Sequence, residues 1–490
     1  MLITMIVTLY TSRIVLNTLG IDDFGIYNII GGVIILFAFL NVAMSNTTQR
    51  FLSFDLGRND MEQLKKTFSM SMTAHISIAV ILFLLSETVG LWFINTQLNI
   101  PYERMNAANW VYQFSILTFI FQIIRVPYNA SIIAYERMSF YAYISIIEVI
   151  LKLAVVFLLQ QGGFDKLIFY SVLLFIVSII ILYAYKFYCN KKFTISKYIF
   201  FWDGNLYKNI MSFSGWSLMG SVASISSSQG INILINIFFG VAVNAAMGIA
   251  NQVNGALNSF VVNFQTAFKP QIVKSYAEGD KKYLTQLILQ TSKFSFFLLF
   301  IVSIPILINT DFVLKLWLKQ VPEYAVEFCQ LIIVYSLMES ISGPLWMSVQ
   351  ATGNIRNYQI IISLLFILNL PVSYVFLKLG YNPPVVMFVK IIVDAIVLST
   401  RIIFLKSLLK VSVKQFLQEV FLKIILVVSI VIPISILVKT KFDGWIQVII
   451  TTSVSILLTA LGIYWIGMRK NERTFIKSAI RKFTRIAKIH

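Results

Sequence analysis

Eight ionisable side chains fall inside stretches that are otherwise apolar. Arg13, Arg125, Lys152, Lys293 and Lys390 are cationic; Glu148, Glu339 and Asp394 are anionic. Each costs on the order of 3 kcal/mol near the centre of a membrane helix, so all eight together carry a penalty on the order of 20 kcal/mol before pairing. Groups this costly either pair or face a hydrated cavity. Glu148 and Lys152 are four residues apart, as are Lys390 and Asp394, and in a helix that spacing puts partners side by side. Each couple either neutralises itself or joins a cavity wall. Arg13 and Arg125 have no acidic residue three or four positions away, which makes them the strongest candidates for holding an anion. Together with Lys152 and Lys390 they form the expected cationic, substrate-binding set. Glu339 has no local partner and either binds a proton or pairs with an Arg across a cavity. Glu148, Glu339 and Asp394 are the candidates for coupling to H⁺ or Na⁺. Lys293 lies near the end of its stretch, where a long side chain can snorkel.

A second signal is a row of amides. Asn244, Asn251, Asn258 and Gln265 recur every seven residues, with Asn254 beside them. Seven residues make almost two helical turns, so the row shares one face. Such a face either ties helices together in the membrane or walls a cavity, where amides that both donate and accept suit sugar hydroxyls. Ser214, Ser217, Ser221, Ser224 and Ser228 form a similar row, read first as helix contact. Asn41, Ser45, Thr48 and Gln49 form another. Pro127, Pro344 and Pro371 interrupt helical patterns; Pro127, two residues from Arg125, marks either a hinge or a packing kink.

No catalytic constellation accompanies these residues, and no enzyme activity is expected. There is no Ser/His/Asp set and no Gly-rich phosphate loop ahead of a Lys. Two cysteines, Cys189 and Cys329, and two histidines, His75 and His490, offer neither a disulfide framework nor a metal site. Asp22 and Asp23 read as a turn and helix start rather than as metal ligands. No cofactor is expected.

The elements that must position these groups are membrane helices. Apolar residues make up 58% of the 490 and charged residues only 12%, about half the usual share of about 25%. No polar shell covers such a chain in water. About fourteen stretches approach the roughly 20 apolar residues that cross a bilayer, near 1–19, 25–47, 68–93, 107–133, 141–160, 166–186, 209–238, 241–267, 287–309, 326–351, 359–378, 384–405, 420–438 and 445–467. None alternates as a barrel strand does. The net charge of +19 collects in connections: with the N-terminus inside, about 28 of the basic residues fall on the inner side and about 6 on the outer. Basic loops of this kind meet anionic lipid rather than nucleic acid. Both termini are then cytoplasmic. The tail from Arg469 is basic; Phe475, Ile476, Ile480, Phe483 and Ile486 space it like an amphipathic surface helix, with an ordinary anchoring tail the favoured reading. The N-terminus lacks a basic leader and cleavage site, so the first stretch is expected to persist. Trp92, Trp110, Trp202, Trp317 and Trp445 read as interfacial belt residues.

A repeat is visible at roughly 220 residues. Asn17-Thr18-Leu19-Gly20, Gly25 and a basic loop with Ser53-Phe54-Asp55-Leu56-Gly57 reappear as Asn236-Ile237-Phe238-Phe239-Gly240, Gly248 and Ser275-Tyr276-Ala277-Glu278-Gly279. The expected fold is an all-α membrane protein with two pseudo-symmetric six-helix bundles, 1–208 and 209–410, two added helices over 411–468, and a basic tail over 469–490. Facing repeated bundles suit alternating access to a site between them.

The run Tyr10-Thr11-Ser12-Arg13-Ile14-Val15-Leu16-Asn17-Thr18-Leu19-Gly20-Ile21-Asp22-Asp23-Phe24-Gly25-Ile26-Tyr27 resembles the opening of bacterial polysaccharide-export flippases. Thr48-Gln49-Arg50-Phe51-Leu52-Ser53, Pro127-Tyr128-Asn129-Ala130 and Ala351-Thr352-Gly353-Asn354 are similar to that family as well. It sits in the superfamily of multidrug and toxic-compound exporters and the peptidoglycan lipid flippase. The resemblance implies a V-shaped transporter that carries an undecaprenyl-diphosphate-linked oligosaccharide from the inner to the outer leaflet of the bacterial inner membrane. The glycan would serve surface polysaccharide such as O-antigen, with membrane lipids and other assembly proteins as partners and an ion gradient driving return. The helix 1 Arg of relatives corresponds to Arg13; this chain begins almost inside that helix, where relatives carry a short cytoplasmic segment. The alternative the resemblance leaves open is a cation or drug antiporter, which would want a free acidic residue in its N-terminal bundle.

Overall fold

The computed structural model describes residue 11 and residues 14–15, 18–35, 38–98, 100–160, 165–318 and 321–474. Arg13 and the amphipathic tail beyond 474 lie outside the described residues. Everything regular among the described residues is helical. The chain divides into two compact units, one of residues 1–222 with 276–278, the other of residues 223–275 with 279–490.

The first unit contains α1 (Ile21–Ile35), α2 (Ala38–Gly57), α3 (Met61–Leu85), α4 (Met105–Ala134), α5 (Met138–Leu159) and α6 (Lys166–Lys192). α4 is its hub, packing on α1, α2, α3 and α6. Phe68, Tyr128, Val155, Val177 and Tyr185 are among the side chains buried around it. α3 passes through one wide π-type turn at Ser86–Gly90. There the Ser86 carbonyl accepts the Leu91 N–H and also the Tyr112 hydroxyl, the latter at 2.8 Å. A Cβ on Gly90 would lie 1.8 Å from that hydroxyl oxygen.

α7 (Gly204–Gly240) starts in the first unit and ends in the second. The second unit continues with α8 (241–278), α9 (Lys281–Ile308), α10 (Ala325–Ala351), α11 (Arg356–Lys378), α12 (Val385–Leu409), α13 (Val413–Lys439) and α14 (Gly444–Gly467). α10 packs on α9 and α12, and α14 packs on α9 and α13. In lipid the apolar side chains gain little by leaving their surroundings, so contact faces carry small and polar residues. Ser292, Ser295 and Ser303 on α9 and Ser336, Ser340, Ser342 and Ser348 on α10 are all buried, while Ile446, Ile449 and Leu457 on α14 are exposed. The five belt tryptophans are exposed too. Ten of the described helices are long and apolar enough to cross a membrane. α2, α8 and α12 fall short of that description because they carry the polar rows and charges.

The two halves repeat one backbone plan. Gly20 and Gly240 both take positive φ, 83° and 76°, which breaks the helix at equivalent turns. The next helices end at Asn59 and Gly279, again at positive φ, followed by Asp60 and Asp280. Each Asp caps the following helix by accepting a backbone N–H at 2.9 Å, from Gln63 and from Tyr283. Farther on, Pro127 and Pro344 each stand nine residues before another positive-φ residue, Glu136 and Gly353. Ser131 and Ser348 each donate to the carbonyl of their Pro, at 2.8 and 2.7 Å. The structure shifts the sequence alignment of the basic loops by two residues. Asp55 matches Ser275, each accepting from the N–H of its capping Asp, so Gly279 pairs with Asn59 and not with Gly57. The left-handed helix end sets this register, and either Gly or Asn can supply it.

Candidate functional site

In the first unit, α1, α4, α5 and α6 surround a cavity of about 410 Å³. Arg125 and Gln122 reach it from α4, Glu148 and Lys152 from α5, Tyr170 and Ser178 from α6, and Phe24 and Tyr27 from α1; Val15 also lines it. Three residues expected from the sequence therefore meet at one place. Arg125 Nη1 donates to Glu148 Oε2 at 3.2 Å, and Lys152 Nζ donates to Glu148 Oε1 at 2.8 Å. Arg125 thus has an acidic partner after all, supplied by the next helix. The trio carries one net positive charge. The Arg125 guanidinium also lies 5.4 Å from the Tyr185 ring centroid. Tyr27 and Tyr170 meet edge to face with centroids 5.1 Å apart, giving the cavity an aromatic side. Thr118, another lining residue, has a buried hydroxyl with no hydrogen-bond partner among the described residues.

One end of this helix set is tied by Arg104, which forms ion pairs with both Asp23 and Asp165. Asp23 therefore serves as the partner of Arg104. Asp165 also caps α6, accepting the N–H groups of Leu167 and Ile168. Burial pushes the Asp165 carboxyl upward, but the Arg104 guanidinium and the two backbone N–H groups outweigh it, so its pKa is lowered.

The second unit gathers the other expected charges. Lys390 and Asp394 on α12 are both buried. The Lys390 ammonium sits 4.2 Å from the Tyr335 ring centroid, and Asp394 Oδ2 has no hydrogen-bond partner among the described residues. Glu339, on α10, bears electrostatically on both. Lys390 and Asp394 border a void of about 10 Å³ lined also by Tyr335, Ser224, Ser227 and Asn369. That is room for about one water, not for a sugar or phosphate. Arg401, buried on α12 and donating to the Tyr358 hydroxyl at 3.1 Å, belongs to this cluster and was not anticipated. Its signal was present, seven residues after Asp394 and so on the same face, but it lies near the end of its apolar stretch, where an Arg is unremarked.

Lys293 does not snorkel. It is 2% exposed and pairs with Glu472 at 2.9 Å, because the chain after α14 folds back against α9. The α8 amides bond to neighbours in their own unit. Asn251 donates to Asn232 at 3.2 Å, Asn258 to Asn254 at 3.1 Å, and Ser336 to Asn254 at 2.7 Å. Gln265 donates to Ser295 and to the Ser340 carbonyl. Asn244 is half-buried. None of these amides lines either cavity described above. The described residues hold no group of three or more potential metal ligands.

Comparison with known proteins places this architecture. Residues 217–375 match the MatE family model. A crystal structure of a MATE point mutant superposes with a TM-score of 0.72 at 12% identity, covering 84% of this chain and 95% of that one. MATE in its straight conformation gives 0.73 at 12% identity, covering 84% and 94%. A MOP superfamily transporter from Pyrococcus furiosus Vc1, described as having a binding pocket of reversed polarity that suggests a different function, gives 0.67 at 12% identity, covering 83% and 93%. The uncharacterized membrane protein EpsK of Bacillus subtilis (strain 168) is 21% identical over 289 residues. That match spans 58% of this chain and about half, 56%, of EpsK. The chain therefore has the fold of MATE transporters and is a multi-pass membrane protein that matches the MatE model over part of its length.

Proposed function

We propose that this protein is a transporter that moves a lipid-linked oligosaccharide, carried on an undecaprenyl-diphosphate-type anchor, from the inner to the outer leaflet of a bacterial cytoplasmic membrane. The observation that carries the reading is the net-positive cavity of the first unit. A diphosphate and its sugars cannot cross about 30 Å of hydrocarbon unaided. Arg125 and Lys152 offer charge-assisted donors in place of water around the phosphates. Gln122, Ser178 and the aromatic pair Tyr27 and Tyr170 offer polar and stacking surface to sugars. The acyl chain stays in the bilayer while the headgroup is exposed to one side and then the other. The void beside Lys390 and Asp394, with space for a single water-sized species, suits a coupling ion such as H⁺ or Na⁺ better than a headgroup, with Glu339 bearing electrostatically on both residues.

The second reading is export of organic cations by antiport. It requires an acidic group free to meet the cation, and the acid in the cavity, Glu148, is bridged to two cations. Surface-glycan export in a deletion strain complemented with R125A or K152A separates the two. Under the proposed reading both variants insert normally and lose glycan export. Unchanged export, with drug sensitivity in the deletion strain, would instead favour the cation exporter.

A further inference from the structure

The headgroup reading gives the Glu148 carboxylate no part, yet it holds the centre of the cationic pair. Its two oxygens are divided between donors on different helices, Oε2 facing Arg125 on α4 and Oε1 facing Lys152 on α5. A phosphoryl group makes the same offer, two negatively charged oxygens on one atom, to the same two donors. Both anions cannot hold both cations at once. We propose that Glu148 occupies the phosphate position of the empty cavity and yields it to a diphosphate diester, taking up one proton as it is displaced. The inference rests on the headgroup reading above.

The charge count among the described residues calls for the proton. Arg125 and Lys152 against Glu148 leave one positive charge. A diphosphate diester brings two negative charges, so an ionised Glu148 would leave the loaded site one charge negative, and a protonated one leaves it neutral. Among the described residues the other titratable groups near the pair are Tyr185, Tyr170 and Cys189 on α6, Tyr27 on α1 and Tyr141 on α5; phenols and thiols ordinarily carry no charge near neutral pH. Once displaced, the carboxylate is left beside Val149, Val156 and Leu174 on the cavity wall, where a charge without a partner is poorly tolerated and protonation relieves it. The cavity of about 410 Å³ leaves space for the side chain to turn aside, and Lys152, 51% exposed, can follow the incoming group.

Calorimetry on the purified protein in lipid nanodiscs tests this. The probe is citronellyl-diphospho-N-acetylglucosamine, a short-chain diphosphate diester of fixed charge, titrated between pH 6 and pH 8 in buffers of differing ionisation enthalpy. The wild type should take up about one proton per probe bound, and affinity should rise about tenfold for each unit the pH falls. E148Q should bind with no proton uptake, no pH dependence, and at pH 8 at least as tightly as the wild type. Wild-type binding without proton exchange overturns the inference and leaves the headgroup reading standing, and this result does not depend on any variant folding. E148Q losing affinity at every pH also overturns it. Absence of probe binding by the wild type removes the headgroup reading and the inference together.

Discussion

Removing Glu472 should destabilise the second unit more than removing Lys293, and removing both should restore much of the loss. Lys293 is 2% exposed and its ammonium is 2.9 Å from Glu472 Oε2. Replacing Glu472 by Leu strands a buried cation, which typically costs about 3–5 kcal/mol. The Phe294 ring, 4.9 Å from the ammonium, returns only a fraction of that. Replacing Lys293 by Met leaves a carboxylate that still accepts the Arg469 N–H at 2.8 Å, so the loss should be nearer about 1.5–3 kcal/mol. The double variant, K293M/E472L, exchanges a buried ion pair for apolar packing of similar volume, a change that is often neutral or stabilising. With the double variant near neutral, the coupling between the two sites should approach the sum of the single losses, about 4.5–8 kcal/mol. Thermal unfolding of the detergent-solubilised protein, followed by the fraction that remains monodisperse, gives all four corners of the cycle. A double-variant loss equal to the sum of the two single losses would show that the pair is not coupled, and the reasoning that intramembrane charges are held by specific partners would fail with it.

G343A should lower thermal stability by about 1–3 kcal/mol, because a Cβ there would lie 2.1 Å from Gln265 Oε1, whose amide is fixed by Ser295 and Ser340; thermal unfolding of this variant reads it, and G343A/Q265A should recover part of the loss. The ion pairs of Arg104 should make the first unit acid-sensitive. Burial raises the Asp165 carboxyl, but Arg104 and the α6 N-terminus bring it net downward, so its contribution to stability is complete above the unfolded value of about 3.9 and disappears as pH falls through the lower folded value. An unfolding series run from pH 6 down to pH 3 should show that added loss in the wild type and not in D165N; parallel curves would remove Asp165 as its source.

Much of the fold was legible because bilayer thickness dictates helix length and because charge asymmetry marks the connections. The spacing of Glu148 and Lys152 was readable within one helix. The Arg125–Glu148 contact was not, since it depends on how α4 and α5 pack, and residues 23 apart in sequence carry no periodic signature. Lys293 looked like a snorkelling residue because its partner, Glu472, comes from the distant chain after α14. The amides of α8 illustrate the limit of periodicity: a shared face is visible in the spacing, but whether that face meets a helix or a cavity depends on the neighbours. The repeat was visible in the sequence at nearly the right distance, but its register in the basic loops was offset, because Asn59 and Gly279 meet the same left-handed requirement with different residues.

The central claim is that the net-positive cavity of the first unit is hydrated and receives a phosphorylated headgroup. Site-directed labelling tests it most directly. Ser178 lines the cavity, and its hydroxyl donates to the carbonyl of Phe175 within its own helix. In a background lacking the buried thiols of Cys189 and Cys329, S178C should react with a charged, membrane-impermeant thiosulfonate in permeabilised vesicles, and the short-chain diphosphate diester should protect it. A thiol that stays unreactive while the protein remains folded, or one that reacts equally with and without the diester, would contradict the claim.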